Sequence, residues 1–228
     1  MNNEKAQRHR GTKAQRNFCA ILLMLTLLIT HYSLLIASAA AVDETVASLQ
    51  KQFASIKDIK GKFIQKSYIK DIEERQEFSG SFFIKKPSLM MWEYAAPRDE
   101  KVVINNMDTL IYKKSMNQVV KTKFNKEAYS QVPITLLGSL ENIGNDFDIT
   151  MPEKNALQLA PKRKIGFIKT IVLELASGDF PVKMFTIFDT YGNVIMIELK
   201  NIQTNSGIDD SIFTLKIPQG AEVFDMSK

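Results

Sequence analysis

From about residue 60 onward the apolar residues recur at every second position. The segments 60 to 69, 77 to 86, 88 to 95, 100 to 105, 109 to 113, 118 to 123, 146 to 150, 156 to 160, 167 to 176, 181 to 189, 193 to 202 and 212 to 217 are short and rich in Ile, Val, Phe and Tyr. Period-two patterning bounded by turn residues is the signature of strands. Turns are marked by Lys86, Pro87 and Ser88, by Asn105 and Asn106, by Ser177, Gly178 and Asp179, and by Tyr191, Gly192 and Asn193. Joined by such turns, the segments read as a long antiparallel meander. About eleven or twelve strands in one sheet must curl, and curling into a closed or nearly closed barrel reduces exposed edge.

Two stretches keep a different period. Between Asp43 and Lys57 the residues Val46, Leu49, Phe53 and Ile56 recur at steps of three and four, predicting a helix with Asp43 as its cap. Around Pro133 to Leu140 a proline can open a short apolar helix, which Gly138 interrupts. Inside the strands both faces carry apolar residues. Phe82 and Ile84, then Met90, Trp92 and Tyr94, each share a face, yet Phe83, Leu89 and Met91 load the opposite one, and Ile168 and Val172 do the same beside Ile171, Leu173 and Leu175. A sheet with one wetted face does not need this. The second face must be covered by the chain's own helices, by a partner or by an apolar ligand.

Composition removes several chemistries. The chain has 228 residues and a formal charge of +5, but residues 1 to 41 hold five basic groups and one acid, leaving a body of 187 residues with 25 basic and 24 acidic groups. Both histidines (His9, His31) and Cys19 lie in the first 41 residues. The body therefore has no Ser/His or Cys/His nucleophile pair, no nitrogen and sulfur zinc site and no disulfide framework. Its near-neutral charge also argues against nucleic acid as a partner. One globular domain is expected.

Residues 1 to 41 run from a basic stretch ending at Arg16, through an apolar run from Phe18 to about Ile36, to Ala37, Ser38, Ala39, Ala40 and Ala41. That order matches a secretory signal cleaved after Ala39 or Ala41. An uncleaved anchor is the rival reading, which His31, Tyr32 and Ser33 disfavour by breaking the apolar run.

The string from Phe78 to Pro97, with Gly80, Phe82, Lys85, Lys86, Pro87, Trp92 and Tyr94 at their spacings, resembles the signature of the LolA family of periplasmic carriers of outer-membrane lipoproteins. The leader, the segment Phe63 to Lys66, the hairpin ending at Tyr112, the Pro133 helix and the terminal stretch Phe213 to Asp225 follow in the order expected. The resemblance implies a mainly β fold with an α lid (α+β): an unclosed antiparallel barrel of about eleven strands, with short helices covering an apolar cavity for acyl chains. It implies no cofactor or metal, a monomer, an ATP-driven releasing complex in the inner membrane as donor, and an outer-membrane receptor as acceptor. By position Lys86 matches a basic residue, often arginine, that bonds lid-helix carbonyls and keeps the empty form closed. The cavity lining expected on this basis is Phe53, Phe82, Met90, Trp92, Tyr94, Leu136 and Leu137.

Three other readings fit parts of the sequence. A carrier of another amphiphile, a glycolipid or fatty acid, would use the same half-barrel. The pathway's outer-membrane receptor would need a lipidated cysteine after the apolar run, which Cys19, at the start of that run, cannot supply. A carboxylate enzyme would use Asp146 with Asp148, two apart on a strand, or Asp209 with Asp210 in a loop. Lys113 and Lys114, and Lys162, Arg163 and Lys164, read as solvated turns or as contacts to headgroups or an acidic partner.

Overall fold

The alternating segments become twelve strands in the computed structural model, which describes residues 40–106, 108–124, 137 and 140–227. They are β1 (Asp58–Ile69), β2 (Glu74–Lys85), β3 (Leu89–Tyr94), β4 (Glu100–Asn105), β5 (Asp108–Lys113), β6 (Gln118–Lys123), β7 (Phe147–Glu153), β8 (Ala156–Pro161), β9 (Ile168–Leu175), β10 (Val182–Asp189), β11 (Val194–Thr204) and β12 (Glu222–Asp225). They form one sheet in the order β12-β6-β5-β4-β3-β2-β1-β11-β10-β9-β8-β7, so β12 and β7 end it and it is not closed. Every pairing is antiparallel except β12 on β6, which is parallel. The chain divides into two compact units, Met1–Val46 and Ala47–Lys228. Of the first, residues 40–46 are described and helical.

Three expectations are corrected. Helix α1 covers residues 40–54, so Asp43 lies inside it instead of capping it. The alternation in 212 to 217 does not make a strand: a 3-10 turn spans Asp210–Phe213, its first N–H groups held by Asp209, whose carboxylate accepts from the Ser211 N–H at 2.8 Å. The last strand comes later, at β12. Asp146 closes a short helix, α2 (Ile143–Asp146), so the strand begins one residue on. The helix expected from Pro133 falls mostly outside the described residues, with Leu137 and Leu140 buried. The four marked turns are present, and Gly192 (φ 88°) takes the left-handed conformation that its turn requires.

The inner face of the sheet is predominantly apolar from β4 through β1 to β9. Register sets Phe63 opposite Gly80 and Leu199, Phe82 opposite Trp92, and Phe185 opposite Ile197 and Leu173. All except Gly80 are buried. Leu49 and Phe53 of α1, then Ile56, Leu137, Leu140 and Ile143, are buried as well and supply the apolar cover. The Phe53 ring meets Phe180 of the β9 to β10 turn edge-on, with centroids 6.3 Å apart.

The outer face of β2 to β4 has a different cover, which answers the question of its excess apolar residues. Met91 and Val103 pack with Ile208 and Phe213 into one cluster, flanked by Phe83, Leu89, Ile212 and Leu215. The segment after β11 is therefore a strap across that face. Lys85 fastens it: its ammonium donates to the Ile208 carbonyl at 2.8 Å and to the Asp210 carboxylate at 2.5 Å. The bond to Asp210 raises the Lys85 pKa above the ordinary lysine value.

Strap and lid leave the sheet at one knot. The buried Asp58 carboxylate accepts from the Ser206 N–H (2.8 Å), the Ser206 hydroxyl (3.0 Å) and the Gly207 N–H (3.0 Å). Burial pulls its pKa upward, but those donors together outweigh burial and hold it below the usual carboxylate value. Asn205, at φ 53°, accepts from the Lys57 N–H at 2.6 Å through its side chain. No helix among the described residues is long and apolar enough to cross a membrane.

Candidate functional site

The site is built on two cross-strand pairs in which glycine faces an aromatic ring. Gly61 on β1 sits opposite Phe82 on β2, and Phe63 sits opposite Gly80. A Cβ at Gly80 would lie 2.6 Å from the Phe63 ring and 2.0 Å from the Glu93 carbonyl oxygen; one at Gly61 would lie 3.0 Å from the Phe82 ring. The missing side chains let both rings lie flat against the sheet. Phe63 then stacks on Trp92 with centroids 3.6 Å apart and planes at 19°, while Phe82 and Tyr94 flank the indole at 5.9 and 5.8 Å.

Of the expected lining residues, Phe53, Phe82, Met90, Trp92, Tyr94 and Leu137 are all buried, at 0 to 9 % exposure. Leu136 lies outside the described residues. Trp92 is in direct ring contact with Phe82 and Tyr94, and Phe53 is oriented toward Lys86 and Phe180. The interior over β1 to β3 is thus filled by the protein's own rings. Open clefts of about 440, 530 and 480 Å³ among the described residues are lined mainly by outer-face groups such as Lys62, Ser79, Ser81, Glu93, Lys101 and Glu77, the first two reaching Tyr94 at their floor.

Lys86 stands at the border between sheet and helix. Its ammonium donates to the Phe53 carbonyl oxygen at 2.5 Å and to the Glu141 carboxylate at 3.0 Å, and lies 4.3 Å from the Phe53 ring centroid. Phe53 is near the end of α1, where a cation is favoured, and its carbonyl accepts from the Ile56 N–H at 3.1 Å as well as from Lys86. One side chain thereby joins the strand end, the helix and the segment after Leu140.

Several residues of the site were not anticipated. Phe63 is the closest neighbour of the indole in the ring geometry, and only register, not alternation, shows that it opposes Gly80. Gln65 is buried on a strand where a polar side chain reads as outward, and accepts from the Tyr94 hydroxyl at 2.8 Å while its own amide donates to Ser67 Oγ at 3.0 Å. Burial pushes the Tyr94 pKa up. The Trp92 N–H is near enough to that hydroxyl to favour its ionised form, but makes no hydrogen bond.

The acidic pairs are otherwise engaged. Asp146 is buried and accepts from Arg163 at 2.8 Å, whereas Asp148 is exposed on β7. Asp209 caps the 3-10 turn and Asp210 meets Lys85. Lys162 donates to the Gly144 carbonyl at 2.7 Å, so Lys162 and Arg163 both bind α2 while they, like Lys164, stay exposed to solvent. Among the described residues no group of three or more His, Cys, Asp or Glu is placed to hold a metal ion.

Residues 54–216 match the family model described as outer membrane lipoprotein carrier protein LolA. The chain is 27 % identical over 207 residues to an outer-membrane lipoprotein carrier protein of Alkalilimnicola ehrlichii, covering 90 % of this chain and 94 % of that one. It is 25 % identical over 200 residues to one of Pseudomonas putida, covering 86 % and 96 %. In fold it is similar to an uncharacterized conserved protein from Thermus thermophilus, with TM-score 0.51 and 16 % identity over 80 % of this chain and 98 % of that one. A DUF1329 family protein from Desulfovibrio piger has the same TM-score at 13 % identity, over 78 % and 97 %.

Proposed function

Because the chain belongs to the LolA family of outer membrane lipoprotein carrier proteins, we infer that it carries lipoproteins by their acyl chains from the inner to the outer membrane. The family match across residues 54–216 carries this reading. Residues 1 to 41 serve as a cleaved signal that delivers the body to the periplasm, where it works as a monomer. An ATP-driven complex in the inner membrane loads it, and an outer-membrane receptor unloads it.

The physical task explains the division of labour. Moving an acyl chain from bilayer to water costs about 0.8 kcal/mol per methylene, so a chain of about fourteen carbons costs roughly 11 kcal/mol. A protein interior that replaces most of that contact lets the cargo cross an aqueous space. The uphill step belongs to the donor, since the sequence has no Gly-rich nucleotide motif. The carrier itself needs no catalytic group.

The closed interior sets how loading must proceed. Phe53, Phe82, Met90, Trp92, Tyr94 and Leu137 form the acyl-chain cavity once α1 swings away. Lys86 is the latch: while it holds the Phe53 carbonyl, the rings stay in mutual contact and these six side chains stay out of water. Tails displace the helix and inherit its contacts.

The test is release of lipoprotein from inner-membrane vesicles that contain the donor complex and ATP. Adding the protein should yield soluble lipoprotein in an equimolar complex with it. Lipoprotein that stays on the vesicles as completely as without the protein would refute the reading.

A further inference from the structure

The inner face carries two polar atoms that its own packing does not use. Among the described residues, Trp92 Nε1 and Thr109 Oγ1 are the buried side-chain polar atoms that have no hydrogen-bond partner, in residues 1 % and 5 % exposed. Both belong to the inner face. Trp92 is opposite Phe82 and Val102, and Thr109 is opposite Ile104, which is opposite Met90. Thr109 is therefore two strands across and two residues along from Trp92, about 12 Å at ordinary sheet spacings.

A buried donor without an acceptor is a standing cost to the empty protein. A permanent core has no use for either atom: valine has the shape of Thr109 without its hydroxyl, and a phenyl ring could stack on Phe63 without an N–H. A cavity that receives an acceptor-bearing ligand does have a use for them. The required acceptor is neutral. The groups around the indole are Phe63, Phe82, Tyr94 and Val102, and Arg98, stacked on the Tyr94 ring at 3.9 Å, already meets Glu100 at 3.0 Å. A charged headgroup there would be buried without a counter-ion.

We propose that Trp92 Nε1–H and Thr109 Oγ1–H donate to carbonyl oxygens of the ester and amide linkages of the acyl anchor, and so set the depth at which it seats. This rests on the carrier reading. Their separation means that each addresses a different linkage instead of the two oxygens of one ester. The tails lie against the rings and the linkages against the two donors, so a bare hydrocarbon chain would be held less well than an acyl ester.

Calorimetric titration can test this with the intact protein and two ligands of equal chain length, an ester-linked diacylglyceryl lipopeptide and its ether-linked dialkyl analogue, which lacks the carbonyls. Wild type should bind the ester about ten-fold more tightly. Thr109→Val, nearly isosteric, should lose about three-fold or more of that preference while binding the ether analogue as wild type does, and Trp92→Phe, which also trims the cavity wall and so weakens both ligands, should lose about three-fold or more in the ester-to-ether ratio. As the chain's sole tryptophan, Trp92 also reports its own environment by fluorescence, which should respond to the ester more than to the ether. Equal wild-type affinity for the two ligands overturns the donor roles and leaves the carrier reading standing. Binding of neither ligand overturns both.

Discussion

Lys86 grips Phe53 at two points, its ammonium lying 2.5 Å from that residue's carbonyl oxygen and 4.3 Å from the centroid of its ring. A charge-assisted bond of this kind contributes about 1.5 to 3 kcal/mol when shielded, and the cation over the ring adds about 0.5 to 1 kcal/mol. Lys86→Leu should therefore raise hydrogen exchange over residues 47 to 54 about ten-fold or more, without changing exchange in β9 to β11. Lys86→Arg should restore protection, its planar fork reaching the same carbonyl. Unaltered exchange together with unaltered lipoprotein transfer in Lys86→Leu would remove the latch role.

The two facing glycines make unequal predictions. At Gly80 an added Cβ meets backbone, the Glu93 carbonyl, at 2.0 Å, so β2 and β3 must separate. Gly80→Ala should cost roughly 3 kcal/mol or more, seen as a lower urea midpoint. At Gly61 the contacts are 2.9 Å to the Lys200 carbonyl oxygen and 3.0 Å to the Phe82 ring, and Gly61→Ala should cost about 1 to 2 kcal/mol. A smaller effect at Gly80 than at Gly61 would contradict this packing.

Acid sensitivity should trace in part to Asp58. Its folded pKa is depressed, so the folded form releases this proton more readily than the unfolded chain, where the value is about 3.9. Its stabilisation is complete above about pH 5 and is lost as pH falls through 4 toward the folded value. Asp58→Asn should lower stability by about 2 kcal/mol near pH 7. The gap between variant and wild type should narrow in urea titrations run from about pH 5 down to about pH 3. A gap independent of pH would show that the charge is not what Ser206 and Gly207 recognise.

Phe213 is the buried anchor of the strap. Phe213→Ala would empty its place against Met91, Val103 and Ile208, costing about 3 to 5 kcal/mol. Limited proteolysis should then cut within residues 205 to 221 while the sheet persists. Resistance equal to wild type would mean that Lys85 alone holds the strap.

What could be read in the chain followed from how local each signal is. Strands β1 to β11 were legible because period two and turn residues act over a few positions. The stretch 212 to 217 misled because Phe213 and Leu215 alternate as a strand's residues do, yet they pack flat on Met91 and Val103 while Asp209 turns the backbone. That a basic side chain at position 86 would meet a helix carbonyl was legible through the family motif, and Lys86 does meet that of Phe53. The Ile208 carbonyl that Lys85 holds is 123 residues away, and no local pattern announces it. Gln65 was unreadable for a related reason: its partner Tyr94 lies on another strand, and alternation assigns faces without saying which polar groups meet across them.

The strap and β12 are synthesised after the eleven strands that they cover and extend. Until they emerge, Met91 and Val103 on one side and the edge of β6 on the other have nothing to meet, however well the first eleven strands have paired. A chain stalled or clipped near residue 205 would thus present a sticky outer wall and a bare hydrogen-bonding edge, so clumping during export is the expected fate of prematurely ended copies.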